Sequence, residues 1–286
     1  MIWLIGNKGM LGSELSGIFI RERIEFVGTD REVDIRGLDT LRTYTEYKKI
    51  DWIINCSAYT AVDKAEEEED FARSINATGA GNIATVAQEL GAKMIHISTD
   101  YVFKGDETRP YLESDPVDPQ GAYGRTKAEG EALVQANCTK HFIIRTAWLY
   151  GKHGPNFVTT MLRLMKEKAS ISVVSDQRGT PTLAYDLASA IHEVVAANAN
   201  KFGIYHFTNA GETSWHGFAS EIQRCSRELG ILDHNCEVLP ITSDKYPSKV
   251  KRPAWSVLSK EKIQNELGII PPEWKASLQS YLKGSF

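Results

Sequence analysis

Nearly uninterrupted apolar runs recur along the first half of the chain: Met1-Ile2-Trp3-Leu4-Ile5, Trp52-Ile53-Ile54, Met94-Ile95-His96-Ile97 and Phe142-Ile143-Ile144. Short runs of this kind, bounded by turn residues, predict buried strands. A further strand is expected over residues 24–28. Between the runs lie Pro-free stretches, the one over residues 123–134 rich in Ala, Glu, Leu and Lys. They predict helices over residues 13–20, 77–90 and 123–134, with Gly91 closing the second. Regular alternation of strand and helix predicts a parallel, doubly wound sheet. After Gly151 the alternation gives way to loops and short helices, with a helix over 184–197, a strand over 205–207 and a helix over 215–229. The expected fold class is α/β. A Rossmann-type parallel sheet occupies residues 1–150, completed by roughly 183–210, and a smaller C-terminal substrate-binding part lies mainly in 151–286.

Composition narrows the function. A length of 286 residues suits one large domain or two coupled ones with an ample core. The formal net charge of -4 lacks the basic surface of a nucleic-acid binder. No apolar run approaches the ~18 residues of a membrane span, and the first strand begins at Met1, so neither a membrane anchor nor a secretory leader is expected. Cys56, Cys138, Cys225 and Cys236 show no C-x-x-C spacing and read as reduced thiols of a cytoplasmic protein. The acidic run Glu66-Glu67-Glu68-Glu69-Asp70 reads as the solvated first turn of a helix, not as a metal site.

Candidate chemistry begins directly after the first strand. Gly6-Asn7-Lys8-Gly9-Met10-Leu11-Gly12 has the spacing G-x-x-G-x-x-G, close to the dinucleotide fingerprint. Gly6 would permit the tight turn, Gly9 the approach of backbone to a pyrophosphate, and Gly12 the close packing of helix on sheet. The helix start would offer N–H groups and a positive dipole end to phosphate. The next strand runs into Thr29-Asp30-Arg31. Asp30 suits the ribose 2′-OH of NADH and Arg31 the 2′-phosphate of NADPH, so both coenzymes stay open, with Arg31 favouring NADPH. Asp34-Ile35 lies where an adenine edge would be met, although Asp34 also suits a helix cap. The strand ending at Cys56 continues into Ser57-Ala58-Tyr59-Thr60, whose small residues let a cofactor lie against backbone.

The strand at residues 94–97 delivers Ser98, Thr99 and Asp100 to a strand end. Tyr123 and Lys127 stand four apart on the helix that follows and so share a face. A phenol is a poor acid at neutrality, and a nearby ammonium would bring its pKa towards the working range. Thr99 would then hydrogen-bond a carbonyl oxygen while Tyr123 protonates it, a set suited to hydride reduction of a ketone. By themselves Tyr123 and Lys127 also fit half-buried packing and a solvated helix face. Near the end, Tyr246-Pro247 and Lys251-Arg252-Pro253-Ala254-Trp255 suit either a diphosphate-binding segment or a surface loop, and the Arg252 fork favours the anion.

Together these residues resemble the extended short-chain dehydrogenase/reductases, on their branch of reductases acting on dTDP-4-keto-6-deoxy sugars. The resemblance runs nearly end to end. It is carried by residues 6–12, Ala58-Tyr59-Thr60-Ala61-Val62-Asp63-Lys64-Ala65-Glu66, Ser98-Thr99-Asp100-Tyr101-Val102-Phe103, Tyr123 to Lys127, Arg145-Thr146-Ala147-Trp148, Asn156-Phe157, Asp176-Gln177 with Gly179, and Arg252-Pro253. It implies NADPH- or NADH-dependent reduction of the C4 keto group of dTDP-4-dehydro-β-L-rhamnose, the last step of dTDP-L-rhamnose synthesis for cell-surface polysaccharide. By resemblance Thr99, Tyr123 and Lys127 form the catalytic set. The residues implied for the cofactor are Gly6, Asn7, Lys8, Gly9, Met10, Leu11, Gly12, Asp30, Arg31, Asp34, Ile35, Cys56, Ala58, Tyr59, Thr60, Tyr123 and Lys127. Thr60, Asp100, Tyr101 and Trp148 would meet the sugar, and Asn156, Gln177 and Arg252 the nucleotide diphosphate. Dehydratases of this fold carry an acidic residue after the aspartate of the S-T-D motif; here Tyr101 stands there, so their base is missing. Some relatives use Mg2+ between subunits, but no ligand cluster in this sequence supports a metal. A homodimer is compatible with the resemblance. The rival readings are reduction of a related nucleotide sugar and a non-catalytic, dinucleotide-binding regulatory subunit.

Overall fold

The computed structural model describes residues 1–246 and 250–284; Pro247 and the last two residues of the expected C-terminal part lie outside them. Six parallel strands form the central sheet: β1 (Ile2–Ile5), β2 (Phe26–Thr29), β3 (Trp52–Asn55), β4 (Lys93–Thr99), β5 (His141–Thr146) and the strand Gly203–His206. Their order across the sheet is Gly203–His206, β5, β4, β3, β1, β2. Alternate side chains enter opposite layers, as the twofold period of a strand requires. Leu4, Ile54, Ile95 and Ile144 pack with the helices Met10–Arg21 and Ala184–Ala196 on one face. Trp3, Ile5, Ile53, Met94 and Ile143 pack with Leu38–Thr45, Ala80–Leu90 and Ala122–Asn137 on the other. Because both faces are covered, the strands read as apolar runs. The chain leaves β1 for β2 and returns to β3 on the other side of β1. That reversal opens a crevice at the C-terminal ends of β1 and β3, where such sheets bind ligands.

A separate cluster of Tyr150, Val158, Met161, Phe218, Ile222, Trp274 and Leu278 is built on the helices Phe157–Glu167, Trp215–Glu228 and Trp274–Lys283. A parallel ribbon of Ser170–Val174 with Glu237–Ile241 packs beside it.

Three details differ from the sequence reading. The second strand starts at Phe26, because Ile24 still donates to Phe19 O at the end of the preceding helix. The helix expected from residue 77 opens as a π-helical segment, Ser74–Gly79, ahead of Ala80–Leu90. The acidic run is tied down instead of merely solvated: Glu68 pairs with Lys64 at 2.7 Å, Glu69 with Arg125 at 2.6 Å and Arg73 at 2.7 Å, and Glu66 accepts from the Ala122 N–H at 2.6 Å.

Candidate active site

A cleft of about 630 Å³ occupies the crevice, lined among others by Gly6, Lys8, Gly9, Asp30, Arg31, Asp34, Ile35, Cys56, Ala58 and Tyr59. Gly6 is left-handed at φ 77, and a Cβ there would come 2.8 Å from the Ser57 backbone nitrogen. Only glycine fits both demands. At Gly12 a Cβ would meet Gly6 O at 2.1 Å, so this glycine lets the helix start lie against the turn. The helix Met10–Arg21 has no side-chain cap, and its first N–H groups face the loop. Leu11 is buried in the core and leaves only backbone for a ligand. The Asn7 side chain lies on β2, where its amide would meet a Cβ at Gly28, and Met10 lies towards Gly151. Lys8 is exposed, 3.4 Å from Glu32. Asp34 is clamped by Arg36 at 2.6 Å, which holds its carboxyl below the usual range, so it caps no helix; Gly37 is the N-cap there. Ile35 is buried against Gly79, and Thr60 is exposed beyond the cleft-lining residues.

At the end of β4, Thr99 Oγ1 donates to Asp100 Oδ1 at 2.9 Å and accepts from the Tyr101 N–H at 3.2 Å. The Thr99 hydroxyl faces the Tyr123 phenol closely enough to act on its titration. Tyr101 and Tyr123 pack edge to face with centroids 5.5 Å apart. Burial pushes the Tyr123 phenol up; Thr99 opposes this, and Asp100 and Tyr101 add to it. The phenol is therefore protonated at neutrality, the state a proton donor needs. Burial raises Asp100 to about 6, opposed by the hydroxyls of Ser256 and Thr99.

Lys127 departs from the expected arrangement. Its ammonium is buried and reaches Ile97 O at 2.6 Å, with His96 Nε2 at 3.4 Å. Burial brings it down to about 8, against Glu131 and Cys56. The groups that act on the Tyr123 phenol are Thr99, Asp100 and Tyr101. The long lysine side chain runs under the helix to β4 and does not pull on the phenol from beside it.

Among the residues expected to meet the substrate, Arg252 reaches Asp63 at 3.1 Å and acts on the Tyr101 hydroxyl. Burial and Asp100 raise Tyr101 to about 12, with Arg252 opposing. Gln177 is buried on a segment zipped to the end of the Arg252 loop: Arg178 N donates to Ala254 O at 2.8 Å and Ser256 N to Arg178 O at 2.8 Å. Trp148 is left-handed at φ 49 and stacks on Trp215 at 3.6 Å, with Gly179 leaving room for its ring. Asn156 makes local contacts. It caps the Phe157–Glu167 helix by accepting from Thr159 N at 3.1 Å, and its amide donates to Gly151 O at 2.8 Å.

Several contacts that shape the site could not be read from the sequence. Asn76 accepts from the Tyr59 N–H at 2.8 Å and donates to Tyr59 O and Thr126 Oγ1, both at 3.1 Å, fixing the loop after β3 to the Tyr123 helix. Glu131 and Arg145 form a buried bidentate pair at 2.7 and 2.9 Å beneath Lys127. Among the described residues no group of three His, Cys, Asp or Glu gathers to hold a metal, and no helix is long and apolar enough to cross a membrane.

The RmlD substrate binding domain family matches residues 1–285 of the chain. The chain is 41% identical to the dTDP-4-dehydrorhamnose reductase of Escherichia coli strain K12, with 100% of this chain and 98% of that one covered. A solved dTDP-4-dehydrorhamnose reductase from Clostridium acetobutylicum superposes with a TM-score of 0.93 at 41% identity, covering 99% of each chain. The Bacillus anthracis enzyme, solved in complex with NADP, gives 0.92 at 36% identity, covering 99% of this chain and 98% of that one.

Proposed function

The chain belongs to the RmlD substrate binding domain family, and from that membership we propose how its own residues carry out the reaction. It is an NAD(P)H-dependent oxidoreductase for the reduction step of dTDP-rhamnose biosynthesis. The left-handed Gly6 turn and the uncapped helix start at Met10 fit the pyrophosphate of NADPH, and Arg31 at the cleft mouth fits its 2′-phosphate. The reduced nicotinamide supplies the hydride. Thr99 and Tyr123 hydrogen-bond the C4 oxygen of the keto sugar, and Tyr123 gives its proton to the forming alkoxide. Lys127 binds the ribose on the nicotinamide side. Asp100, Tyr101 and Trp148 meet the sugar, while Gln177 and Arg252 meet the diphosphate; Asn156 acts there through the helix it caps. The observation that carries this reading is the Tyr123 phenol at the strand end, facing Thr99 and held protonated by burial.

In the same proposal, residues 1–150 with roughly 183–210 hold the dinucleotide and the rest of 151–286 holds the sugar nucleotide. The separate core cluster around Tyr150, Phe218 and Trp274 supports that division. Four thiols without disulfide partners fit work in a reducing cytoplasm. The test is a coupled assay: generate dTDP-4-dehydrorhamnose in situ, add the protein, and follow reduced nicotinamide absorbance with each coenzyme. Sugar-dependent oxidation, faster with NADPH, is expected. A folded, NADPH-binding protein that oxidises nothing would overturn the catalytic reading.

A further inference from the structure

A buried chain of polar groups runs behind Lys127. Ser57 donates to Asn55 Oδ1 from its backbone N–H at 3.0 Å and from its hydroxyl at 2.5 Å. Asn55 Nδ2 lies 3.1 Å from His96 Nδ1, and His96 Nε2 lies 3.4 Å from Lys127 Nζ. Asn55, His96 and Lys127 are all buried.

Donor and acceptor counting fixes the proton positions. A backbone N–H can only donate, so the Asn55 atom facing Ser57 is the amide oxygen and the one facing His96 is the NH2. His96 Nδ1 must then accept. A buried neutral imidazole carries one proton, which is left on Nε2, facing Lys127. An ammonium has only donors, so it meets another donor there. An amine has a lone pair and can accept. The 3.4 Å separation exceeds the ~2.7–3.2 Å of an ordinary N–H hydrogen bond, as two opposed donors would produce.

We infer that His96, locked as the Nε2–H tautomer by Asn55 and Ser57, is a positioning residue whose N–H favours the amine form of Lys127. Lys127 thereby changes charge within the working pH range. The other groups facing it are Glu131 from its own helix, Cys56 from the end of β3 and the Ile97 carbonyl of β4. Glu131 favours the ammonium, but its charge is shared with Arg145, and burial keeps the Cys56 thiol neutral. For its effect on turnover the inference rests on the proposed cofactor-side role of Lys127; the tautomer itself does not.

Two readouts separate these. Long-range 1H–15N correlation spectra of the histidine-labelled wild-type protein, with the His96 ring assigned by its loss in His96→Gln, should show a neutral Nε2–H ring between pH 6 and 8. An Nδ1–H ring or an imidazolium there would overturn the inference, whatever the enzyme does. In Asn55→Asp the carboxylate accepts from Ser57 as before and from the ring Nδ1–H, which turns Nε2 into an acceptor for the ammonium. The alkaline limb of kcat/KM should then move up by about one pH unit or more. An unmoved limb in a folded, active Asn55→Asp protein overturns the inference. If the wild type turns over no keto sugar, the proposed reaction fails, and the spectra alone decide the state of His96.

Discussion

The Glu66 carboxylate accepts the backbone N–H of Ala122 at 2.6 Å, joining the segment after β3 to the first turn of the helix that carries Tyr123 and Lys127. The N-cap of that helix, Gly121, has no side chain to cap with, and a Cβ there would come 2.9 Å from Glu66 Oε1. A distant carboxylate thus does the work of a local cap, at the positive end of the helix dipole. Removing a cap costs about 0.5–2 kcal/mol, and ~1 kcal/mol lowers Tm by about 2–4 °C in a chain of this size. Calorimetry should rank Glu66→Ala below Glu66→Gln and both below the parent. Equal values for all three would mean that the contact contributes nothing.

Tyr123→Phe removes only the hydroxyl that meets Thr99. Loss of general-acid help should lower kcat by about 10²–10⁴-fold. NADPH affinity, followed by fluorescence titration, should change little. Thr99→Val should also lose activity, whereas Thr99→Ser, which keeps the hydroxyl, should stay near the parent. Turnover by Tyr123→Phe within a few-fold of the parent would place the acid elsewhere.

Asp100 is buried at the same point and is raised from 3.8 to about 6, chiefly by burial. The folded chain therefore binds this proton more tightly than the unfolded one. Stability falls as pH rises from about 4 to about 6 and stays low above that window. At about 1.4 kcal/mol per unit, the cost at neutrality is on the order of 3 kcal/mol. Asp100→Asn should therefore melt above the parent at pH 7.5, with the gap closing as pH falls towards 4, and should lose activity if Asp100 meets the sugar. A gap that is absent at pH 7.5 would show that other contacts already offset the buried charge.

The sheet was legible because strands buried on both faces must be apolar, and the glycine turn because Gly6 and Gly12 stand where a Cβ would strike backbone. Local spacing singles out Thr99, Tyr123 and Lys127 as candidates. It does not single out their partners. His96 sits inside an apolar run and reads there as strand filler, yet strand register sets it opposite Asn55. Asn76 and Glu131 are ordinary polar residues until helix and strand are packed, and the motif that holds Arg145 does not name its partner. The direction of Lys127 escapes the sequence for the same reason: sharing a helix face with Tyr123 says nothing of the Ile97 carbonyl that the ammonium reaches.

Gly124, between Tyr123 and Lys127 in the same helix, tests that packing directly. A Cβ there would lie 2.2 Å from Tyr101 O and 3.0 Å from the Pro119 side chain. Helix propensity alone favours alanine over glycine by about 1 kcal/mol. Gly17, exposed on the helix Met10–Arg21, has open space where a Cβ would stand and shows that preference undisturbed, so Gly17→Ala should raise Tm. At Gly124 the obstacle is a backbone oxygen that cannot swing aside, and forcing the helix away costs about 1–3 kcal/mol. The displacement also separates Tyr123 from Thr99. Gly124→Ala should accordingly lower both Tm and kcat, and Gly17→Ala should raise Tm and leave kcat unchanged. Should the two substitutions behave alike, the close approach of the helix to Tyr101 is not what holds Tyr123 beside Thr99.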